Sequence, residues 1–381
     1  MDLDLSEEQK LLRQTVRAFA ESEVRPLARE LDETGRFPRE NFRKAAELGL
    51  TGVALPEACG GAGFDHTSYA IVIEEISRAC ASTGVILSVQ NSLYCDPLYR
   101  FGNEDQKKRF LVPFARGERI GCYALTEPQA GSNAAALRTS AIRKNGEYIV
   151  NGTKAWITNG GVADAALVYV NTDPAKGEKG ITALIVERGT PGFRVGKEEK
   201  KLGIHATACT ELSFSDCRVP VENRIGAEGD GYKIALSTLD GGRIGIAAQA
   251  TGISQGAFEY ALAYARERQA FGHPIAEFQA IQFMLADMAT EIDAARLLVR
   301  RAAWKQDTGG RFSMEASIAK LFASEMATRV THKAIQIHGG YGYSREYPVE
   351  RMYRDARITE IYEGTSEIQR LIIASWVLRN L

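Results

Sequence analysis

The segment Ile361-Tyr362-Glu363-Gly364-Thr365-Ser366-Glu367-Ile368-Gln369-Arg370 is the part of this 381-residue chain best equipped for chemistry. It sets one carboxylate, Glu363, on a short loop directly ahead of a helical stretch. Gly364 follows and permits close backbone approach. Ser366 and Gln369 have the S-x-x-Q spacing of a capping box that starts a helix over Ile368–Leu378. A carboxylate fixed between a glycine and a helix start is well placed to act as a general base. A solvated surface glutamate beside a helix cap fits these ten residues equally well, so the choice turns on the rest of the chain.

Two further stretches carry polar groups in useful arrangements. Tyr123-Ala124-Leu125-Thr126-Glu127-Pro128-Gln129-Ala130-Gly131-Ser132-Asn133 offers hydroxyls, small residues and free backbone amides together. Such groups suit a polar heteroaromatic ring or a phosphate, or simply an interdomain loop. Lys154-Ala155-Trp156-Ile157-Thr158-Asn159-Gly160 puts an indole beside a hydroxyl near a strand end. Tryptophan is more often core than cofactor wall. Gly60, Gly61 and Gly63 lie in Pro56–Phe64, but their spacing matches neither G-x-G-x-x-G nor G-x-x-x-x-G-K, and a turn is the plainer reading. The six cysteines form no C-x-x-C pair and read as reduced, partly buried small hydrophobes. The five histidines lack ligand spacing, so no metal site is expected.

Three zones must position these residues. Residues 1–118 read as helical, opening with a Ser6-x-x-Gln9 capping box and apolar Leu11, Leu12, Val16 and Phe19. Further helices are expected near Pro38–Leu48, Tyr69–Arg78, Val85–Tyr99 and Glu104–Arg116. Residues 119–228 change to short β-rich runs between Gly, Asn, Asp and Pro, among them Tyr148–Val150, Ala166–Val170, Ile181–Val186 and Leu212–Phe214. That pattern predicts an antiparallel barrel or sandwich, with Asn151-Gly152 as a hairpin turn. Strands do not alternate with helices, which disfavours a Rossmann domain. Residues 229–381 return to long amphipathic helices near Gly231–Arg268, Glu277–Asp307, Ser313–His338 and Ser366–Leu378. Their lengths suit a four-helix bundle. The class is a multidomain α+β protein.

Composition is that of an ordinary globular protein, 45% hydrophobic and 25% charged. A net charge of -1 makes no case for nucleic acid as a partner. No apolar run approaches the roughly 18 residues of a membrane span. The acidic start, Met1–Gln9, looks like neither a secretion signal nor a transit peptide. It suits a bacterial cytoplasm or a mature organellar form.

The ordered set YALTEPQAGSN, KAWITNG, LDGGRIGIAAQA, RQAFG, QIHGGYGY and YRDARITEIYEGTSEIQR resembles the acyl-CoA dehydrogenase family, over essentially the whole chain. The stretch Leu239–Ala247 is most similar to the short-chain, butyryl-CoA branch. The resemblance implies an N-terminal helical domain, a middle β domain, a C-terminal four-helix bundle and bound FAD. On the matching positions, Tyr123, Leu125, Thr126, Gly131, Ser132, Trp156, Ile157 and Thr158 would meet the flavin. Arg268, Phe271, Gln279, Gln336, Gly339 and Gly340 would reach FAD across a subunit contact, and Thr365 and Glu367 would add contacts at the last helix. Ser132, Asp240, Arg243, Tyr362 and Gly364 would meet the acyl-CoA. A homotetramer built as a dimer of dimers and reoxidation by an electron-transferring flavoprotein are also implied.

The implied reaction is α,β-dehydrogenation of a saturated short- to medium-chain acyl-CoA to the trans-2-enoyl-CoA. Glu363 would remove the α-proton while flavin N5 accepts the β-hydride. In the isovaleryl and long-chain branches the base sits in an L-D-x-E-R context. Here that slot is Gly242, so Glu363 is the matching candidate. The same fold leaves room for a branched-chain or aromatic acyl-CoA dehydrogenase, or an acyl-CoA oxidase. A flavin-bearing scaffold protein would be expected to lack the base.

Overall fold

The first helix shows how local sequence sets the fold. In this computed structural model, which describes residues 4–380, Glu7–Phe19 (α1) begins at Ser6. The Gln9 N–H donates to Ser6 Oγ at 3.1 Å, and the Ser6 N–H donates to Gln9 Oε1 at 3.2 Å. That is the expected capping box. His66–Ala79 (α2) is capped by Asp65, which accepts the Ser68 N–H at 2.7 Å. Ala81–Ser88 (α3) runs into a π-type turn, Val89–Cys95, and then into Asp96–Phe101 (α4). The sequence predicts one helix over Val85–Tyr99. The structure instead widens it in the middle, as short π segments do, often near functional sites. Every residue from Ala81 to Cys95 is buried. The glycine turn at Pro56–Phe64 closes on itself, with the Gly61 N–H bonded to Pro56 O and the Gly63 N–H to Leu55 O.

Eight strands form the middle sheet: β1 (Gly121–Ala124), β2 (Ser140–Lys144), β3 (Glu147–Ile157), β4 (Ala165–Asn171), β5 (Ile181–Glu187), β6 (Phe193–Glu198), β7 (Thr210–Pro220) and β8 (Arg224–Ile225). Their order is β6-β7-β3-β2-β4-β5-β8, with β1 beside β4. Pairing is antiparallel except at β1–β4 and at a single β2–β4 register, which are parallel. Successive residues of β4 feed two cores. Leu167 and Tyr169 pack with Ile234 and Ala235, while Ala166, Val168 and Val170 pack with Leu212 and Phe214, the period-2 alternation of a strand buried on both faces.

The hairpin turn is not where the sequence predicts it. Asn151-Gly152 lies inside β3, at a register shift against β7. Asn151 there exchanges hydrogen bonds with Asp216. The β2–β3 turn is Asn145-Gly146, whose φ values of 50° and 81° are the left-handed pair that a type I′ turn requires. Two Asn-Gly pairs compete six positions apart. Only the first leaves β3 its full length from Glu147 to Ile157, with Trp156 near its end.

The C-terminal part holds Gly231–Glu267 (α5), Gln279–Asp307 (α6), Ser313–His338 (α7), Val349–Arg357 (α8) and Ser366–Asn380 (α9). The four long helices agree with the sequence reading, and α8 is an additional short helix. Of the stripe on α6, Met288 and Ile292 are buried, while Ile281 and Leu285 pack partly against the same core. α5 runs 37 residues, roughly 55 Å, through the centre of the molecule. Small residues let other helices come close to it. A Cβ at Gly252 would stand 2.2 Å from the Glu74 carbonyl oxygen of α2, and one at Gly245 would stand 2.3 Å from Tyr69 Oη and 2.4 Å from Ser88 Oγ.

Side chains tie the three zones to one another. Arg78 bonds Glu21, Glu75 and Glu259. Gln106 Nε2 donates to Glu222 O and Arg224 O, both at 2.7 Å. Asp355 of α8 accepts the Ile204 N–H at 2.5 Å, and Arg354 binds Asp32. None of the helices described is long and apolar enough to cross a membrane.

Replacing a helix-interior glycine by alanine ordinarily stabilises by about 1 kcal/mol. Gly252→Ala is expected to do the opposite, lowering stability by about 1–3 kcal/mol through forced separation of α5 from α2. Denaturant unfolding of the two proteins checks the sign.

Candidate active site

Glu363 sits on the connection into α9 with φ of 54°, and Gly364 follows with φ of 92°. A non-glycine residue held in the left-handed region is uncommon and persists where the surroundings fix it. Three donor side chains do so. Gln369 Nε2 donates to Gly364 O at 2.8 Å and to Glu363 O at 3.3 Å. Lys320 Nζ, reaching from α7, donates to the same Gly364 O at 2.7 Å. The Tyr362 hydroxyl donates to Gln249 Oε1 on α5.

The predicted Ser366/Gln369 capping box does not form. Thr365 is the residue that accepts at the helix start, from the Ile368 N–H at 3.4 Å, and Ser366 Oγ is buried without a partner. Gln369 is instead drawn back onto the two carbonyls of the left-handed turn. The carbonyls exposed by that turn need donors more than the helix start does.

The residue Glu363 is only partly shielded overall, but its Oε2 is closed to solvent and has no hydrogen-bond partner. Burial pushes its pKa up to about 7, against the opposing pull of Lys320 and Arg243. Among the described residues, none accepts a hydrogen bond from the Glu363 N–H. Gly242 of α5 is what makes room for the carboxylate. A Cβ there would be 2.0 Å from Glu363 Oε2 and 2.8 Å from Leu93 Cδ2. Leu93 belongs to the π-type turn, so that turn, α5 and the α9 loop meet at one point.

Arg243 lies one residue beyond Gly242, buried, with Nε unpartnered. It binds Asp240, whose Oδ2 accepts from Ser313 Oγ at 2.5 Å. Burial lowers the Arg243 pKa and raises that of Asp240. Tyr69, Tyr123 and Tyr362 also lie near the carboxylate, and burial raises all three phenols.

The two polar stretches of the middle domain do come together. The Ala155 N–H donates to Thr126 O at 2.9 Å. Beneath them is a fully buried ion pair: Lys154 Nζ is 2.7 Å from Glu127 Oε1 and 3.1 Å from Leu125 O. Glu127 also accepts the Arg138 and Thr139 N–H groups at 2.7 and 2.9 Å. Burial pushes Glu127 up, but Lys154 and these donors outweigh it and hold the carboxyl at about 2. Burial brings Lys154 down to about 8, against Glu127.

Trp156 is 58% exposed at φ of 61°, an indole turned out of the core at the register shift that ends β3. Thr158 is partly exposed, and Gly131 and Ser132 are exposed. Leu125 and Ile157 have their side chains in the two sheet cores.

Arg268, Phe271, Gln279, Gln336, Gly339 and Gly340 are exposed. Gln336 is 16 residues beyond Lys320 on α7, about 24 Å along the helix. Arg268, Gly339 and Gly340 line a cleft of about 620 Å³ with Tyr264, Ile275 and Tyr341. Thr365 and Glu367 are at the start of α9, with Glu367 exposed.

Lys320, Gln249 and the Glu127–Lys154 pair were not anticipated from the sequence. Lys320 did leave a trace: it occupies a core-facing position among Ala316, Ala319, Ala323 and Ala327 on α7. A lysine in such a stripe must find a buried partner.

Family models for acyl-CoA dehydrogenase match the chain in three parts: the N-terminal domain over residues 6–118, the middle domain over 122–217 and the C-terminal domain over 229–378. The chain is 52% identical over 379 residues to the short-chain specific acyl-CoA dehydrogenase of Clostridium acetobutylicum, spanning all of both chains. It superposes on butyryl-CoA dehydrogenase from Megasphaera elsdenii with a TM-score of 0.98 at 46% identity, covering both chains fully. A chain in a structure of the electron transferring flavoprotein of Acidaminococcus fermentans gives a TM-score of 0.99 at 47% identity, again with both covered fully. With three domain matches in order and a full-length relative above half identity, the chain belongs to the acyl-CoA dehydrogenase family.

Proposed function

We propose that this enzyme dehydrogenates short- to medium-chain acyl-CoA thioesters between Cα and Cβ, with Glu363 as the base that takes the α-proton. The observation that carries this reading is the unpartnered, water-excluded Oε2 of Glu363 at the Gly242 gap. An ionised carboxylate in that setting is a far stronger base than a free glutamate in water.

Acyl-CoA dehydrogenases are FAD-dependent flavoproteins, and the residues present fit that group. Trp156 offers an aromatic wall outside the core, and Thr158, Ser132 and the Tyr123–Thr126 backbone offer polar contacts beside it. Space is open where a Cβ would stand at Gly131, Gly339 and Gly340. Tyr123, Leu125, Thr126, Gly131, Ser132, Trp156, Ile157 and Thr158 would hold the flavin end. Thr365 and Glu367 would contact it from α9. Bound FAD supplies the two-electron acceptor for the hydride from Cβ.

The protein's own part is geometric and electrostatic. The Glu363 N–H, which has no partner among the described residues, would donate to the thioester oxygen and stabilise charge developing there, in the manner of an oxyanion donor. Ser132, Asp240, Arg243, Tyr362 and Gly364 would bind the acyl-CoA. The Tyr362 hydroxyl is already engaged by Gln249, which leaves its ring as the contacting surface. Leu93 stands against Gly242, and Tyr69 and Ser88 stand against Gly245 three residues along α5; this close filling supports a short acyl chain.

The exposure of Arg268, Phe271, Gln279, Gln336, Gly339 and Gly340 supports a role for them toward FAD held by a second copy. We accordingly propose a homotetramer built as a dimer of dimers. Electron delivery to an electron-transferring flavoprotein is part of the same reading, supported by the Acidaminococcus similarity. Domain limits of 1–118, 119–228 and 229–381 are supported by the helix ending at Ala115, the sheet over 121–225 and α5 beginning at Gly231.

Anaerobic mixing with straight, branched and aromatic acyl-CoAs tests the assignment, with flavin bleaching as the readout. Butyryl-CoA is expected to bleach fastest. A faster branched or aromatic substrate would reassign the specificity, and rapid peroxide formation in air would make the enzyme an oxidase. Glu363→Gln should slow bleaching by about 10²–10⁴-fold, and an unchanged rate would remove the base assignment. The base must be ionised, and burial holds its pKa near 7. Bleaching by subsaturating substrate should therefore fall about tenfold per pH unit below that value and level off above it. Gly242→Ala is expected to keep FAD and its unfolding midpoint while bleaching about 10²-fold more slowly, because the carboxylate must move aside.

A further inference from the structure

We propose that Lys320 is a positioning residue for the proton transfer: its ammonium holds the Gly364 carbonyl and thereby fixes the left-handed turn that aims Glu363. This rests on the assignment of Glu363 as base. Lys320 is fully buried in the middle of α7, and Nζ is 2.7 Å from Gly364 O. Among the described residues, no carboxylate oxygen lies within 4 Å of that ammonium. Buried lysines are rare, and those that persist are normally paired with an acid. Here the buried charge is directed at the carbonyl one residue past the base.

The geometry explains why that carbonyl matters. Glu363 and Gly364 are successive left-handed residues. Their two carbonyls are tied from two helices, by Gln369 of α9 and by Lys320 of α7. Gln369 is six residues along the same chain segment and moves with the turn. Lys320 is anchored in a different helix and ties the Gly364 carbonyl to α7, as the Tyr362 hydroxyl ties the residue before the base to Gln249 of α5. The turn in turn sets both the Glu363 carboxylate and the peptide N–H beside it.

Lys320 also brings a charge to the site. Around Glu363 stand Lys320 from α7, Arg243 and its partner Asp240 from α5, Tyr69 from α2, Tyr123 from β1 and Tyr362 on its own segment. Around Lys320 stand Glu363, Arg243, Glu360 and Glu367. Burial pushes Lys320 down and Glu363 up, and the charge on each opposes the shift of the other. Removing the ammonium leaves Arg243 as the remaining cation beside the base. Loss of a neighbouring positive charge moves a carboxyl pKa upward.

The test uses the FAD-loaded enzyme and the variants Lys320→Met, Lys320→Arg and Glu363→Gln. Each is examined by anaerobic bleaching with butyryl-CoA across pH, and by titration with the product-type ligand crotonyl-CoA, read from the flavin spectrum. Lys320→Met is expected to retain FAD and to bind crotonyl-CoA within about threefold of wild type. Its limiting bleaching rate should fall about 10- to 100-fold, and its pH midpoint should move up by about one unit. Lys320→Arg, which keeps a donor and a charge, should return the midpoint to the wild-type value. A Lys320→Met enzyme with wild-type rate and midpoint overturns the proposal. So does one whose ligand affinity falls in step with its rate, because that is a general loss of structure. If Lys320→Met does not fold, Lys320→Arg decides, and a midpoint displaced from wild type overturns the proposal. Glu363→Gln separates the two layers of argument. If it bleaches normally, the base assignment fails. If it is inert while Lys320→Met behaves as wild type, only the role of Lys320 fails.

Discussion

The missing side chain at Gly242 is the constraint on which the site depends. One methyl group there would occupy the position of Glu363 Oε2 and press on Leu93. The gap therefore joins three elements that are far apart in sequence: the π-type turn, the central helix α5 and the loop into α9. Glycine in a helix interior costs about 1 kcal/mol of helix propensity. α5 accepts that cost several times, and at each place what it gains is close approach. Gly245 admits a phenol and a hydroxyl, and Gly252 admits the backbone of α2. The central helix is thus less a hydrophobic rod than a track of recesses, each filled by a group from another element.

Polar burial in this molecule is concentrated where the chain must hold an unfavourable shape. The left-handed turn at Glu363 is held by donors from α7 and α9. The loop from Leu125 to Thr139 is held by Glu127 and Lys154, which together satisfy a carbonyl and two backbone N–H groups. Replacing a buried ion pair by apolar groups is often harmless, whereas removing one partner alone is costly. In this pair each ion also serves the backbone of the loop, so an apolar substitute would leave three backbone groups without partners.

Much of this was legible in the residues. The order of helical, β-rich and helical zones follows from periodicity, and the long helices begin and end close to where their patterns predict. Glu363 stood out because a carboxylate beside glycine and ahead of a helix is an unusual arrangement. What could not be read was partner choice. Ser366 and Gln369 have capping-box spacing, yet Gln369 turns to two carbonyls that exist only because Glu363 is left-handed. Asn151-Gly152 and Asn145-Gly146 are equivalent as dipeptides. Only pairing with β7 shows that the second is the turn and the first is a bulge. Lys320 is visible as an anomaly in an apolar stripe, but the residue it serves is 44 positions away. Local spacing reports local structure well, and it is silent on which distant group will need a donor.

The π-type turn at Val89–Cys95 has a consequence for how such a cavity diversifies. A π segment accommodates an additional residue without displacing the helices on either side. Leu93 therefore projects toward Gly242 from a place where the helical register is already relaxed. Lengthening or shortening the chain by one residue at this turn would advance or withdraw the wall that faces the base, while α3 and α4 keep their packing. Elsewhere in the buried Ala81–Cys95 stretch, the same change would rotate every following side chain out of its recess. The wide turn is thus the place in a close-packed lining where the wall facing the base departs from regular helical register.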